Sequence, residues 1–396
     1  MSSEHEQTIE KKPSYGEDHS EQTEKLLRPE GTAPLPPIST PASPVPAPPS
    51  RLSQALKAST GPGLTMLVVM LCASLLILAY GQSPRAVYSA LVTGTLMNPF
   101  GLGQMLYKTT PLLFAGLSVA LAFRAGLFNV GAEGQVAMGG FCAAIAGMLL
   151  PASTPMVIAI PVVLLAAFAG GALIGLIPGC LKAYAGAHEV ITTIMLNFIV
   201  MALLNYLLIS FFRVPETLHT PPIVEGARMM KLSTVMPALH GSGVSLALFG
   251  ALIMSLLVWY LFEKTKLGYE WRAIGHNPLA AETAGMPIKI RQVLAFAVAG
   301  GIAGLGSLHF VLGYKYYFEE GFGAGVGFMG VAVALLARNH PLAVIPAALL
   351  FGWLSQGGLA INALVPRELI DILQAVLILA LVSSPWILRR WLKQEA

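Results

Sequence analysis

Charged side chains are scarce in this sequence. Only 11% of its 396 residues are Asp, Glu, Lys or Arg and 55% are hydrophobic, whereas an ordinary soluble domain has about 25% charged residues. Several apolar runs, among them 64–80, 190–212 and 244–262, approach or exceed the roughly 20 residues that a helix needs to cross a bilayer. The composition therefore excludes an ordinary soluble domain and predicts a membrane protein.

Two further patterns are rare or missing. The alternation of polar and apolar residues that marks transmembrane β-strands does not occur, so helices are expected to satisfy the backbone in lipid. The three cysteines, Cys72, Cys142 and Cys180, lie far apart inside apolar runs and lack metal-ligand spacing. We interpret them as packing residues, and we predict an all-α membrane protein without a metal site.

Residues for enzyme chemistry are also lacking. After the first 60 residues the only aspartate is Asp371, which excludes a paired-aspartate intramembrane protease. HEVIT at 188–192 begins like a zinc-protease motif but has Thr192 in place of the second His. Ser307 and His309 are two residues apart and do not face each other on a helix.

Cofactor and nucleic-acid signals are equally weak. No Gly-Lys pair occurs, so the chain has no phosphate-binding loop, and any ATP-driven work must use another polypeptide. No groove of basic and aromatic residues suggests nucleic acid. We therefore predict that this chain is not an enzyme, holds no cofactor and binds no nucleic acid.

The first 60 residues differ from the rest of the chain. They hold six Lys or Arg and eight Asp or Glu, and the stretch 29–49, PEGTAPLPPISTPASPVPAPP, is too rich in proline to pack as helix or sheet. We predict a disordered, Pro-rich cytoplasmic tail over 1–60 and a transmembrane domain over 61–396. The first apolar run begins too far along the chain for a simple cleaved signal peptide, so we treat it as a retained span.

Hydrophobic runs predict about ten membrane crossings. They are 64–81, 106–123, 134–150, 155–182, 190–212, 244–262, 291–313, 324–338, 341–360 and 367–388. The stretch 83–105 can add an interfacial helix. Thirteen Lys or Arg then fall on one side and seven on the other, which places both termini in the cytoplasm. Ten crossings can form two inverted halves of five, although no internal repeat is strong enough to establish them.

Glycines and polar residues interrupt the apolar pattern at 124–141, RAGLFNVGAEGQVAMGGF. Gly131 and Gly134 flank Glu133, a spacing that discourages a continuous helix and exposes backbone groups at a break. An ionisable residue beside a membrane segment favours a functional role, but Glu133 as a loop charge at the cytoplasmic surface is an equally good interpretation. Asn197, on a later span, is either a contact between helices or a contact to substrate.

The best-formed hydrophilic element is the loop 263–291, EKTKLGYEWRAIGHNPLAAETAGMPIKIR. Asn277 can cap a helix that begins at Pro278, and Gly285 can end it. The pattern predicts about two turns of helix in a cytoplasmic loop. Such a helix is either a solvated connector or a surface on which a soluble partner docks.

Three stretches together resemble a known family. GLFNVGAEGQVAMGG (126–140), HEVITTIMLNFI (188–199) and RAIGHNPLAAETAGM (272–286) are similar to the permease subunit of bacterial ABC importers for nucleosides. These permeases belong to a larger group that includes branched-chain amino acid and simple-sugar permeases. The resemblance covers most of the chain from about residue 60. The third stretch is shared across the wider group, whereas the first two are more particular to nucleoside systems.

The resemblance implies a multi-pass permease of the bacterial plasma membrane that carries purine or pyrimidine nucleosides. It implies a second, different permease subunit, an ATP-binding subunit and an extracytoplasmic substrate-binding lipoprotein as partners. The loop at about 264–290 would hold the coupling helix that seats in the ATP-binding subunit, through Arg272, Gly275, Asn277, Pro278, Ala280, Ala281 and Gly285. A broken helix would line the translocation path, with candidate substrate contacts at Asn129, Glu133, Gln135, His188, Glu189 and Asn197.

Two other interpretations stay open on the sequence. A permease for a simple sugar or a branched-chain amino acid would share the loop of the wider group. A secondary transporter driven by protons or sodium would use Glu133, Glu189 or Asp371 as its titrating group and would need no ATPase. Uptake that persists on an ion gradient without the ATPase would favour this second interpretation.

Overall fold

The computed structural model describes residues 69–366, 368–372, 374–376 and 378–379. The Pro-rich tail predicted at 1–60 lies outside the described residues. The beginning of the predicted crossing 64–81 and much of the crossing 367–388 also lie outside them.

The described part of the chain is helical. Its helices are α1 (Val69–Ala79), α2 (Pro84–Thr95), α3 (Pro99–Arg124), α4 (Ala132–Leu149), α5 (Met156–Ala185), α6 (Glu189–Leu207), α7 (Ala247–Lys264), α8 (Lys266–His276), α9 (Pro278–Thr283), α10 (Ile288–Leu305), α11 (Leu308–Val311), α12 (Val326–Leu336) and α13 (Val344–Ala360). A π-helical turn, Leu208–Phe212, extends α6. Within the described ranges no β-strand occurs, and two isolated bridges join connecting segments. The helical fold class is thus confirmed for these residues.

Among the described residues, six helical stretches are long and apolar enough to cross a membrane: α3, α4, α5, α6 with its π-helical turn, α7, and α10 together with α11. They match six of the predicted crossings. Helices α1, α12 and α13 are apolar but shorter, with 10–17 residues each. The predicted number of about ten crossings is therefore not confirmed, because length and composition support six within the part of the chain that the structure describes.

The start of α3 differs from the predicted crossing at 106–123. The helix begins at Pro99, since the Asn98 side chain caps it by accepting a hydrogen bond of 3.0 Å from the Phe100 N–H. Proline suits the first position of a helix because its missing N–H has no partner to lose there. The stretch predicted as an interfacial helix, 83–105, is accordingly divided between α2 and the first turns of α3.

Most residues of α3, α4 and α10 are buried, whereas about a third or fewer of those in α5, α6 and α7 are buried. The exposed side of α6 carries large apolar side chains, among them Ile191, Phe198 and Ile199. A helix with so much exposed apolar surface is suited to contact with lipid rather than water. The buried helices therefore form the interior of the described fold.

Glycines bring α5 and α10 into backbone contact. A Cβ on Gly171 would collide with the carbonyl oxygen of Gly300, and a Cβ on Gly300 would collide with that of Gly171. Gly304 packs against Gly171 in the same way. Close approach of this kind holds helices together in lipid, where burial of apolar surface alone does not drive association.

Helix α12 is too short to cross a bilayer. Its 11 residues extend about 16 Å at about 1.5 Å per residue, roughly half of the 30 Å hydrocarbon core. The preceding segment, 321–325, has the sequence GFGAG, and Gly321, Gly323 and Gly325 have positive φ angles of 74°, 70° and 85°. Only glycine adopts such angles readily. A non-helical segment thus leads into a half-length helix.

Candidate functional site

A cavity of about 680 Å³ lies beside the start of α12. Its wall is built from α3, α11, the segment 323–325, α12, α13 and the helical residues 371 and 374. The polar side chains of the wall are Tyr107, Lys108, His309, Ser355, Asp371 and Gln374, and the aromatic ones include Phe310, Phe328 and Phe351. A volume of roughly 300–1,000 Å³, with apolar walls and a few polar groups, is typical of small-molecule sites.

Part of this wall is non-helical backbone, from Gly323 to Gly325. Unpaired backbone groups are costly in hydrocarbon, so irregular backbone at membrane depth is tolerated where it is buried in protein or lines a water-filled cavity. Transporters commonly build their substrate sites from such interrupted helices. The cavity wall therefore has the construction expected of a passage.

Glu133 lies directly behind this wall. It occupies the first turn of α4, and its Oε1 accepts a hydrogen bond of 2.6 Å from the Gly325 N–H. Its Oε2 accepts one of 2.7 Å from the Gly327 N–H at the start of α12. A negative charge is favourable at a helix N-terminus because the backbone dipoles point their positive ends there. Glu133 thus meets two helix N-termini at once, its own and that of α12.

The segment between α3 and α4 is fixed by a buried network of side-chain amides. Asn129 donates from Nδ2 to Ser118 Oγ at 3.1 Å and to Gln135 Oε1 at 2.8 Å. Its Oδ1 accepts from Gln135 Nε2 at 3.0 Å and from the Gly131 N–H at 3.1 Å. Asn129, Gln135 and Ser118 are all fully buried. The chain is non-helical from 125 to 131, where these amides bond to one another, whereas Glu133 and Gly134, around which the glycine spacing predicted a break, lie inside α4.

Asn197 joins α6 to the same break. Its Oδ1 accepts from the Gly134 N–H at 2.9 Å, and its Nδ2 donates to the Val130 carbonyl at 3.0 Å. Both bonds are to backbone, so Asn197 is a contact between helices in this structure. Direct contact of Asn129, Gln135 or Asn197 with a substrate stays a prediction.

His188 and Glu189 lie apart from the cavity wall, at the junction of α5 and α6. His188 is exposed, and Glu189 pairs with Lys182 of α5 at 2.8 Å. The structure therefore separates these two candidates from Asn129, Glu133, Gln135 and Asn197, which it brings together.

His309 is a cavity residue that sequence reasoning did not select as a substrate contact. Its Nδ1 lies 2.7 Å from the Gly306 carbonyl oxygen. A carbonyl only accepts, so Nδ1 carries the hydrogen, and Nε2 of the neutral ring is an acceptor. The ring also lies against Tyr107, with centroids 5.0 Å apart. The signal for it in the sequence is a histidine inside an apolar run.

The loop predicted to bear a short helix does so, as α9. The Asn277 side chain accepts from the Ala280 N–H at 3.1 Å, Pro278 is the first helical residue, and Gly285 follows with a positive φ of 78°. Leu279 is 74% exposed, whereas Ala281 is 3% exposed. The outer face of α9 is thus available to a partner, and Ala281 packs beneath it.

Helix α8 anchors this loop to the rest of the chain. Glu263 accepts from Arg272 at 3.1 Å and from Arg124 at 3.4 Å, and Glu270 pairs with Arg291. A Cβ on Gly275 would collide with the Arg124 carbonyl oxygen. The loop therefore rests directly on the end of α3.

No group of three or more His, Cys, Asp or Glu side chains that could hold a metal ion occurs in the ranges the structure covers. The absence of a cofactor stays a prediction.

Comparison with known proteins identifies related chains. The family described as "Branched-chain amino acid transport system / permease component" matches residues 101–382. The guanosine ABC transporter permease protein NupP of Bacillus subtilis is 37% identical over 82% of this chain and 92% of its own length. The nucleoside ABC transporter permease protein NupB of Lactococcus lactis is 32% identical, over 80% and 88% respectively.

A sugar permease is similar to a comparable degree. The glucose ABC transporter permease protein TsgB13 of Haloferax volcanii is 34% identical over 86% of this chain and 91% of its own length. Bacillus subtilis and Lactococcus lactis each have a second, more distantly similar permease, NupQ and NupC.

Proposed function

The chain belongs to the branched-chain amino acid transport system permease family, and we propose that it is the permease subunit of an ABC importer that carries nucleosides. It is a transport component embedded in a membrane. The observation that carries the proposal is the cavity of about 680 Å³ whose wall contains the half-length helix α12 and the non-helical segment before it. Similarity to two nucleoside permeases over most of the chain supports the choice of cargo.

The cavity wall suits a nucleoside chemically. Phe328 is half exposed and can offer a face to a planar base. His309, Tyr107 and Gln374 can exchange hydrogen bonds with base edges and ribose hydroxyls. A few polar groups in a mostly apolar wall bind cargo weakly enough to release it, which a passage requires.

We propose partners on this basis. The exposed outer face of α9 would seat in an ATP-binding subunit on the cytoplasmic side, since this chain has no phosphate-binding loop of its own. A second permease subunit would complete the passage, in line with the paired permeases of Bacillus subtilis and Lactococcus lactis. A substrate-binding lipoprotein would deliver cargo from outside the plasma membrane, and both termini of this chain would be cytoplasmic.

Within the site, we propose that Asn129, Gln135 and Asn197 shape the passage wall and that Glu133 holds α12 against it. Their hydrogen bonds to one another and to backbone support this role. His188 and Glu189 would act at the cytoplasmic end of the path, where Lys182 pairs with Glu189.

A simple sugar is the second candidate cargo. The 34% identity to a glucose permease favours it, and sugar hydroxyls would use the same polar groups of the cavity. The aromatic wall separates the two candidates, because a nucleoside adds a base that can stack on it.

Reconstitution of the purified complex in liposomes tests the proposal. We expect ATP-dependent accumulation of labelled guanosine or uridine, inhibited by unlabelled nucleosides and unaffected by glucose. Accumulation of glucose with no uptake of nucleosides would establish the sugar alternative. The control is the same liposome with a non-hydrolysable ATP analogue.

A further inference from the structure

The segment 124–133 contacts two separate parts of the molecule. Its first residues lie against α8, in the loop that carries α9. Its last residue, Glu133, bonds to the start of α12 beside the cavity. One short covalent stretch therefore connects the proposed ATPase-docking loop with the cavity wall.

The contact at the loop is between backbones. Gly126 has a positive φ of 74°, and a Cβ there would lie 2.9 Å from Gly275 Cα. A Cβ on Gly275 would in turn collide with the Arg124 carbonyl oxygen. No flexible side chain separates the two backbones at this point, so a displacement of α8 must displace Gly126 as well.

The middle of the segment is stiff although it is not helical. Asn129 bonds to Gln135 and Ser118, and Asn197 bonds to the Val130 carbonyl and the Gly134 N–H. Buried networks whose members are all satisfied hold a single geometry. The segment should therefore move as a unit rather than absorb a displacement.

The contact at the cavity is equally direct. Both carboxylate oxygens of Glu133 accept from backbone N–H groups, at 2.6 Å and 2.7 Å. A Cβ on Gly327 would collide with the Glu133 backbone nitrogen, so the start of α12 lies against that of α4. Gly325, one of the two donors, itself lines the cavity.

We infer that residues 124–133 transmit movement of the α8–α9 loop to the cavity wall. Glu133 is the positioning residue that holds the start of α12 through its hydrogen bonds. The inference rests on the proposed function, because it takes α9 to be the ATPase-docking helix. Glu133 contacts the wall rather than the substrate. The two hydrogen bonds of Glu133 thereby couple ATP hydrolysis to the movement of cargo.

The decisive measurement is the number of nucleosides transported per ATP hydrolysed by the reconstituted complex. Glu133→Gln replaces one acceptor oxygen by an NH₂ group, which cannot accept from a backbone N–H. We expect transport per ATP to fall by about tenfold, as for loss of a hydrogen bond to a charged group. The rate of ATP hydrolysis and the yield of assembled complex should stay within about twofold of those of the unaltered complex, since neither requires the hydrogen bonds between Glu133 and the start of α12. The matched control is Glu216→Gln at an exposed carboxylate.

A purely structural Glu133 would give a different result. Transport and hydrolysis would then fall in parallel with the amount of assembled complex, and the ratio would not change. An unchanged ratio in Glu133→Gln overturns the inference. If the unaltered complex hydrolyses ATP but carries another cargo, the proposed substrate is wrong, and the ratio is measured on that cargo instead.

A variant at the other end of the segment tests the inference if the complex that contains Glu133→Gln does not assemble. Gly126→Ala adds a Cβ against Gly275, whereas the control Gly186→Ala adds one at a φ of 67° with nothing within 4 Å. Both variants carry a similar backbone cost, so the difference between them reports the contact with α8. We expect a lowered transport per ATP in Gly126→Ala alone. Equal ratios in the two variants would contradict the transmission of movement.

Discussion

Asn129 bonds to three different residues through one side-chain amide: Ser118, Gly131 and Gln135. An amide has two donors and an oxygen that can accept twice, and this arrangement uses all of that capacity. Removing the amide therefore leaves several buried groups unpaired at once. Each unpaired buried group lowers the free energy of unfolding, because it has lost its hydrogen bonds to water without gaining a partner in the protein.

We predict that Asn129→Ala and Gln135→Ala each destabilise the protein by about 1–3 kcal/mol, because each leaves buried partners without a bond. The double variant should cost less than the sum of the two, since the same pair of bonds is lost in both. Thermal unfolding in detergent measures this, with the exposed Asn362→Ala as control. Strictly additive losses would show that the two amides act independently.

His309 offers a second prediction at this scale. Asn in its place can mimic Nδ1 and keep the hydrogen bond to the Gly306 carbonyl, whereas Gln places an acceptor near the position of Nε2. If Nε2 accepts from cargo in the cavity, the maximal uptake rate should fall about tenfold in His309→Asn and less in His309→Gln. Uptake is measured at saturating cargo with equal amounts of complex. Equal rates for the two variants would remove His309 from cargo recognition.

At the scale of elements, α9 shows what local sequence signals can predict. Asn277, Pro278 and Gly285 each act within a few residues along the chain, so cap, start and end of the helix follow from local chemistry. Which side of α9 faces outward does not follow. Ala281 is buried by packing against the rest of the loop, and no local rule distinguishes it from Ala280, which is exposed.

The two faces of α9 predict two different defects. Leu279→Asp should abolish co-purification of the ATP-binding subunit while leaving the permease folded, because Leu279 is 74% exposed. Ala281→Arg should instead lower the thermal stability of the permease itself, since it forces a charge into a buried position. Pull-down of the ATPase and thermal unfolding separate these outcomes. An unfolded Leu279→Asp variant, or a fully stable Ala281→Arg variant, would contradict this account of α9.

At the scale of the whole molecule, the contacts that build the site join distant parts of the sequence. Glu133 and Gly325 are separated by 192 positions, and Asn197 and Gly134 by 63. The glycine spacing around Glu133 predicts a break, but only the packing of α4 against α12 gives the carboxylate its partner. The cavity escaped prediction for the same reason, because its wall combines residues from 107 to 374.

The energy source is a property of the whole assembly. We predict that nucleoside uptake by the complete complex ceases when ATP hydrolysis is blocked and is unchanged when an ionophore collapses the proton gradient. Two of the three carboxylates that a proton-driven transporter could titrate, Glu133 and Glu189, are already engaged, by backbone N–H groups and by Lys182 respectively. Uptake in membrane vesicles measures both effects. Uptake that tracks the proton gradient in the absence of ATP would favour a secondary transporter.

The pairing of Glu133 with the amides ahead of α12 has a consequence for salt dependence. Its charge is balanced by the dipoles of backbone N–H groups. These groups are part of the fold, so they stay in place when the salt in the buffer is changed. A carboxylate held in this way has no need to recruit sodium as a counterion. Replacing sodium by choline in the assay buffer should therefore leave the affinity for cargo untouched.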